Sequence, residues 1–548
     1  MRRSPSYTAA LLVATLGLTG CGGGPDSAPR ARPGAPNVPC PANSSCNQGL
    51  PFADGPATVP GATSGGHISV LTRDAIPTLD PAAASSRAIS SILSGLVTRS
   101  LTQYRYDPAS RQMTLVPDLS INLGIHNDDF TQWHFTVRRG VRFDDGSRVT
   151  AHDVARGIRR CLQARAFPAG PCRDVPIRTV KVHGDLLLIH LSAPYPDLPY
   201  LAATPAFGPV PRGIDATDDA YARHPAATGP YRIRSYRPGH RLVLVRNAEW
   251  DATTDPARTQ YPEGYDIRGG VSDTRIAQIL RHDRGSAQTT LTFDDMRSRE
   301  LSERPRERQL VLGGSPCTTY LVPDNRTITS PEVRRALIWA YPYRDVLRAE
   351  GLTPGRTAVP ATNLQPPGIP GRTSISGRGH AGFATAPDVA HRLLERAHAL
   401  ATRVRFHSPD DPAGVLVRKA LARSLRASGF DPQPVGSGAP VDLRTKTHCG
   451  AWPSGEQWLP PVYGSQRVPG FSPPSVAREI RRIEAQPINR QAQEWNALDR
   501  GILQRWQPIV PVWYAGVAMA HGSRIHGMAD DSVHGMPTWQ RLWIGTGS

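Results

Sequence analysis

The stretch FTVRRGVRFDDGSRVTAHDV, Phe135 to Val154, passes from one backbone habit to another within a short distance. Trp133-His134-Phe135-Thr136-Val137 alternates apolar and polar side chains, the period of a half-buried strand. Asp145-Gly146 is a tight-turn pair. Thr150-Ala151-His152-Asp153 resembles a capping box, in which side-chain oxygens satisfy the first free N–H groups of a helix. Beyond it Val154, Ile158, Cys161 and Leu162 recur at helical spacing. The stretch therefore predicts strand, turn and capped helix in succession.

A second stretch, ATGPYRIRSYRPGHRLVLVRNAEW, Ala227 to Trp250, reads as two alternating strands. Gly229-Pro230 turns the chain into the first, and Pro238-Gly239 makes the hairpin between them. Upstream, His67 to Leu71 is a plausible first strand. Ser330-Pro331-Glu332 opens a helix, with Ser as N-cap and Pro at the first helical position. Val333, Ala336, Leu337 and Ala340 line one face of it. Between 388 and 443 the pattern runs helix, strand (Val404 to Phe406), helix (Val415 to Ser428, closed by Gly429) and strand (Val441 to Leu443). That alternation predicts helices packed on a sheet.

At 548 residues the chain is too long for one core, so two or three lobes are expected. A formal net charge of +18 raises nucleic acid, anionic lipid or a wall polymer as partners. All but Lys181, Lys419 and Lys446 of the 64 basic residues are Arg, which reads as coding bias. No Arg/Lys run is dense enough for a nucleic-acid patch, so no nucleic-acid partner is expected. Arg2-Arg3 followed by apolar Ala9 to Leu18 is a targeting segment, too short for a stable membrane span. Leu18-Thr19-Gly20-Cys21 then looks like a bacterial lipobox. Residues 1–20 would be removed and Cys21 lipidated, with 21–65, rich in Pro, Gly, Ala and Ser, as a flexible tether.

Six further cysteines remain, an even number suited to disulfides outside the cytoplasm. Cys40 with Cys46 and Cys161 with Cys172 would close short loops. Cys317 and Cys449 are left. No CxxC pair exists and the histidines are scattered, so neither a metal site nor a cofactor is expected. GxSxG, HExxH, Walker A and GxGxxG signatures are absent, and no enzyme is expected.

Four segments in order carry a resemblance: PTLDPA (Pro77 to Ala82) with ISSILSGLVTRSL after it, the two stretches above, and SPEVRRALIWAYP (Ser330 to Pro342). Together they resemble family 5 of the extracellular solute-binding proteins, the oligopeptide- and dipeptide-binding components of ABC importers. The resemblance implies an α/β (α+β) chain with the two-lobed type II periplasmic-binding-protein fold and an extra domain inserted in the first lobe. Lobe I would comprise 66–100, 228–312 and 515–548, the extra domain 101–227, and lobe II 313–514. The hinge would lie near 312 and 514. A monomer anchored by lipid to the outer face of the cytoplasmic membrane would deliver a peptide or peptide-like ligand to an ABC permease and ATPase. The alternative is a sensory or interaction lipoprotein of the same fold that binds a non-peptide or blocked ligand without transport.

In peptide-binding relatives a segment resembling W-C-A-D-W/Y-P carries an aspartate that pairs with the ligand's α-amino group. Here it reads His448-Cys449-Gly450-Ala451-Trp452-Pro453, with Ala451 at the aspartate position. The cysteine of such relatives is often bonded to one at the start of the same lobe, where Cys317 stands. The resemblance places Thr318, Thr319, Tyr320, Trp452, Ser454, Trp513 and Tyr514 around the ligand, with Glu456 as the nearest substitute acid. Losing the carboxylate predicts weak binding of free-amine peptides and better binding of ligands without that group.

Overall fold

The computed structural model describes residues 58–163, 170–215, 218–296, 307–373, 383–464 and 467–546. Residues 1–20, Cys21, Cys40 and Cys46 lie outside these, as does the tether up to residue 57.

His67–Leu71 is a strand whose Ile68 and Val70 are fully buried in one core, while Leu71 is buried in another with Ile276 and Leu280. It pairs in parallel with Gly264–Arg268 and Thr290–Thr292. Arg241–Arg246 and Tyr231–Arg237 complete this five-stranded sheet, antiparallel. Gly239 at their turn has φ +77°, which a side chain would strain. Gly229 lets two backbones meet: its N–H donates to Val97 O at 2.8 Å, and a Cβ there would stand 2.7 Å from Leu96 O. ISSILSGLVTRSL is not one regular helix. The helix Arg87–Ile92 widens into a π turn, Leu93–Val97, and Thr98 is extended.

The opening stretch forms a strand, Gln132–Thr136, and a helix, Ala151–Cys161. Asp153 accepts from the Thr150 N–H at 2.8 Å, the reciprocal half of the capping box. The strand joins Ile125–His126, Leu186–Leu191 and Ile177–His183 in a four-stranded sheet. Cys161 and Cys172 are bonded at the end of the helix. Arg160 of that helix grips Asp80 of PTLDPA with both guanidinium nitrogens, the Nη2–Oδ2 distance being 2.6 Å. Two segments that mark the family are thus tied together by charge inside the protein.

A second knot of charge lies beneath. Arg99, Asp118, Asp255 and Arg258 are all fully buried. Asp118 accepts from Arg99 and from Arg258, each at 2.8 Å, and Asp255 lies 3.2 Å from Arg258. Trp250 donates its indole N–H to Asp255 at 2.9 Å. Burial opposes ionisation of Asp255, but Arg258 and Arg99 outweigh it and hold the carboxyl down to about 2. Two cations and two anions cancel, the condition under which buried charge is tolerated.

The remaining sheet has six strands in the order Ala358–Pro360, Val510–Ala520, Leu310–Pro323, Leu443–Cys449, Arg403–Phe406 and Asp431–Pro434. Helices Pro387–Arg396 and Pro412–Ala427 follow the predicted alternation. The strand expected at Val441 to Leu443 instead begins at Leu443 and runs to Cys449. Asp431–Pro434 was not expected; it exists by parallel pairing with Arg403–Phe406.

Leu310–Pro323 and Val510–Ala520 are long, and they pair antiparallel from Leu310↔Ala520 to Leu321↔Val510. Their register breaks between Gly314 and Thr318. A bridge from Leu291 to His521 ties this pair to the five-stranded sheet. Gly313 has no room for a side chain, because the Asp530 carboxyl occupies the space and accepts from the Gly314 N–H at 2.9 Å. Cys449 lies opposite Cys317 on the neighbouring strand, and the two are bonded. Among the described residues, no helix is long and apolar enough to cross a membrane.

Candidate functional site

A cleft of about 980 Å³ lies between the five-stranded sheet, the 101–227 region and the end of the Leu443–Cys449 strand. Its lining includes Arg73, Arg87, Tyr104, Tyr200, Asp295 and Ala451. Tyr104 and Tyr200 stack with centroids 6.4 Å apart and planes 7° apart, and His534 meets Tyr104 edge-on. These rings give the cleft an aromatic wall.

Two acids and two arginines follow from local structure. Thr290–Thr292 ends at Phe293, and the chain then presents Asp294 and Asp295. Asp294 is engaged by the protein itself. It accepts from Thr72 Oγ1 at 2.9 Å and from the Arg73 N–H at 2.6 Å. Arg73 is shared between Asp273, at 3.0 Å, and Asp294, at 3.6 Å. Asp295 and Arg87 differ. Asp295 accepts only a long bond, 3.3 Å, from the Ala518 N–H. Arg87 donates to Ser315 Oγ and to the His534 carbonyl, both neutral. Among the described residues, neither lies within ion-pair distance of an opposite charge.

Burial pushes Asp295 up to about 6, against the pull of the Ala518 N–H, Arg87 and Arg73. Asp530 is pushed to about 7, again chiefly by burial, with Asp531 and Asp295 adding repulsion. Burial lowers the Arg87 pKa, partly offset by Asp295. Both signs of charge are thus under-neutralised, and a ligand bearing complementary groups would relieve them. Among the described residues, no cluster of His, Cys, Asp or Glu could hold a metal ion.

The segment around Ala451 reaches this cleft through Cys449, Gly450 and Ala451 alone. None of the residues expected around a ligand is on this cleft's lining. Thr318 is buried and donates to Leu364 O at 2.8 Å, and Thr319 pairs with Thr447. Tyr320 packs in a core with Trp458, and Trp513 in another with Val510 and Leu321. The Tyr514 hydroxyl accepts from the N–H groups of Thr362 and Asn363, each at 3.0 Å. Trp452 donates its indole N–H to Asp197 at 2.7 Å, and Ser454 and Glu456 turn toward the same aspartate. Arg87 and Asp295 were not singled out from sequence, where Asp294-Asp295 is one of six Asp-Asp pairs and carries no distinguishing signal.

Two sheets joined by two paired crossing strands, with a cleft beside them, make a two-lobed α/β fold of the kind that encloses small ligands. The chain belongs to the bacterial extracellular solute-binding proteins, family 5, whose middle region matches residues 114–444. It is 27% identical over 264 residues to the probable D,D-dipeptide-binding periplasmic protein DdpA of Escherichia coli K12, covering 45% of this chain and 48% of that one. It is 28% identical over 150 residues to the periplasmic oligopeptide-binding protein OppA of Salmonella typhimurium LT2, covering 23% and 27%. The matched part thus spans about half or less of these curated relatives. Among solved structures, the clavulanic acid biosynthesis oligopeptide binding protein 2 superposes with a TM-score of 0.78 at 22% identity, covering 90% of this chain and 98% of that chain. At that identity the likeness shows the shared two-lobed α/β fold.

Proposed function

We propose that the protein is a lipid-anchored extracytoplasmic receptor that captures a peptide or peptide-like ligand in the cleft and delivers it to an ABC importer. It acts by binding rather than turnover. The observation that carries this reading is the pair of unmatched charges, Arg87 and Asp295, on the lining of one cleft with an aromatic wall. Family membership and the names of the relatives support a peptide-like ligand. Ala451 supplies no carboxylate, so Asp295 takes the ligand's cationic group and Arg87 its carboxylate.

Calorimetry with short peptides, free and blocked at either end, tests this. Contrary to the expectation from Ala451 alone, free-amine peptides are expected to bind the native protein through Asp295, and Asp295→Asn is expected to weaken them while sparing N-acetylated ones. The loss is on the order of 2–5 kcal/mol, the usual cost of leaving a desolvated ammonium unpaired. If peptides blocked at both ends bind as tightly as free ones, or Asp295→Asn affects both alike, the reading fails.

A further inference from the structure

The segment after Ala451 leaves the cleft and docks on the 101–227 region. Trp452 is buried in the same core as Leu198, Leu201 and Tyr195. Asp197, fully buried at the start of the Leu198–Leu201 turn, receives its indole N–H. The Ser454 and Glu456 side chains face the same carboxyl and offset part of the rise that burial causes. Asp197 Oδ1 and Glu456 Oε2 are both shielded from water, and no other donor reaches either oxygen. Two carboxylate oxygens cannot bond to one another without a hydrogen between them.

We propose that Asp197 and Glu456 share one proton, and that this carboxyl pair is a pH-sensitive latch holding the Trp452–Glu456 segment against the 101–227 region at the edge of the cleft. Glu456 carries the proton and donates it to ionised Asp197, which also accepts from Trp452. Each partner lies across a boundary between lobes: Glu456 follows the strand of the six-stranded sheet, and Asp197 follows the four-stranded one. The latch sits beside the cleft because Ala451 precedes Trp452 and Tyr200 follows Asp197, and both line it.

The surrounding groups favour the proton. Burial raises both carboxyls above the usual range, and their mutual repulsion raises Glu456 further. Glu484, at the end of the Pro474–Glu484 helix, is a third carboxyl that repels Glu456, with Arg481 facing Glu484. From the other side come Tyr195, Tyr200 and Tyr104, whose hydroxyls burial keeps protonated. No cation is among the groups that shift either carboxyl. Once the segment lifts away, both acids meet water and ionise at ordinary values. The docked form therefore holds one proton more than the undocked form, and rising pH favours undocking.

Hydrogen exchange of residues 452–464 and small-angle scattering, both on the ligand-free native chain from pH 5 to pH 9, test the latch. Protection factors in the segment, which set aside the intrinsic rise of amide exchange with pH, are expected to fall by about tenfold per pH unit until the pair has ionised, with a parallel increase in the radius of gyration. Glu456→Gln keeps a donor for Asp197 but cannot titrate, so its profiles are expected to be flat and docked. A second readout is direct. At pH 8 the infrared carbonyl stretch of a protonated carboxyl is expected in the native protein and absent from Glu456→Gln. Native profiles without pH dependence, equal dependence in the variant, or no such band in the native protein would each overturn the proposal.

Discussion

Ala451 shows how much one side chain changes a site. It is exposed on the cleft lining and brings no charge there. Restoring that charge with Ala451→Asp is expected to tighten binding of free-amine peptides and to leave N-acetylated ones unchanged by calorimetry. Arg87→Gln is expected to weaken ligands with a free carboxylate by about ten- to a hundred-fold and to spare their amides, since a charge-assisted bond contributes ~1.5–3 kcal/mol. Cys21→Ala is expected to move the protein from the membrane fraction to the medium; unchanged retention would rule out lipid anchoring there. Ala451 could be picked out from sequence because Cys449 and Trp452 frame it. Asp295 and Arg87 could not, since they are 208 positions apart and only the fold brings them to one cleft. Trp452 misleads a reader of sequence in the opposite way. An aromatic beside a turn suits a ligand wall, yet its indole N–H finds a buried acid from a distant segment.

At the scale of elements, local signals were the readable ones. The Ala151–Cys161 and Pro331–Ala340 helices begin at the residues their caps predict, because a cap acts within three positions. Asp431–Pro434 was illegible: two prolines and no alternation hide a strand that only its neighbour stabilises. Leu443–Cys449 is largely exposed along its length, so it lacks the apolar period by which strands are recognised. The buried quartet sets the energetic scale for the junction below the 101–227 region. Arg258→Ala leaves Asp118 and Asp255 under-neutralised and is expected to cost about 3–5 kcal/mol, read from the urea midpoint. Removing the Cys317–Cys449 bond, which closes 132 positions of chain, is expected to cost about 4–5 kcal/mol by the chain-entropy account. Unchanged midpoints would show that neither tie matters to folding.

For the whole molecule, several buried acids act in one direction. Asp295 and Asp499 are pushed to about 6 and Asp530 to about 7, mainly by burial. In the unfolded chain such groups titrate near ~3.9. Between those values the folded protein holds protons that the unfolded one has lost, so stability falls as pH rises. The melting temperature of the ligand-free protein is therefore expected to decline from pH 5 to pH 8 and then level off. Asp442, held to about 2 by Arg405, works in the opposite sense only in acid. A cationic ligand at Asp295 would favour its ionised form and flatten the decline, which differential scanning calorimetry can follow.

The paired strands Leu310–Pro323 and Val510–Ala520 carry a mechanical consequence. Hydrogen-bonded side by side, the two connections form a ribbon rather than two loose cords. A ribbon bends across its width far more easily than it slides lengthwise, and the broken register at Gly314 is its crease. Were the two sheets to part, the ribbon would reduce opening to a single swing, like the cover of a book about its spine. On the transport reading proposed above, a solute would come and go through the fore-edge, and the face offered to a membrane partner would change along one coordinate.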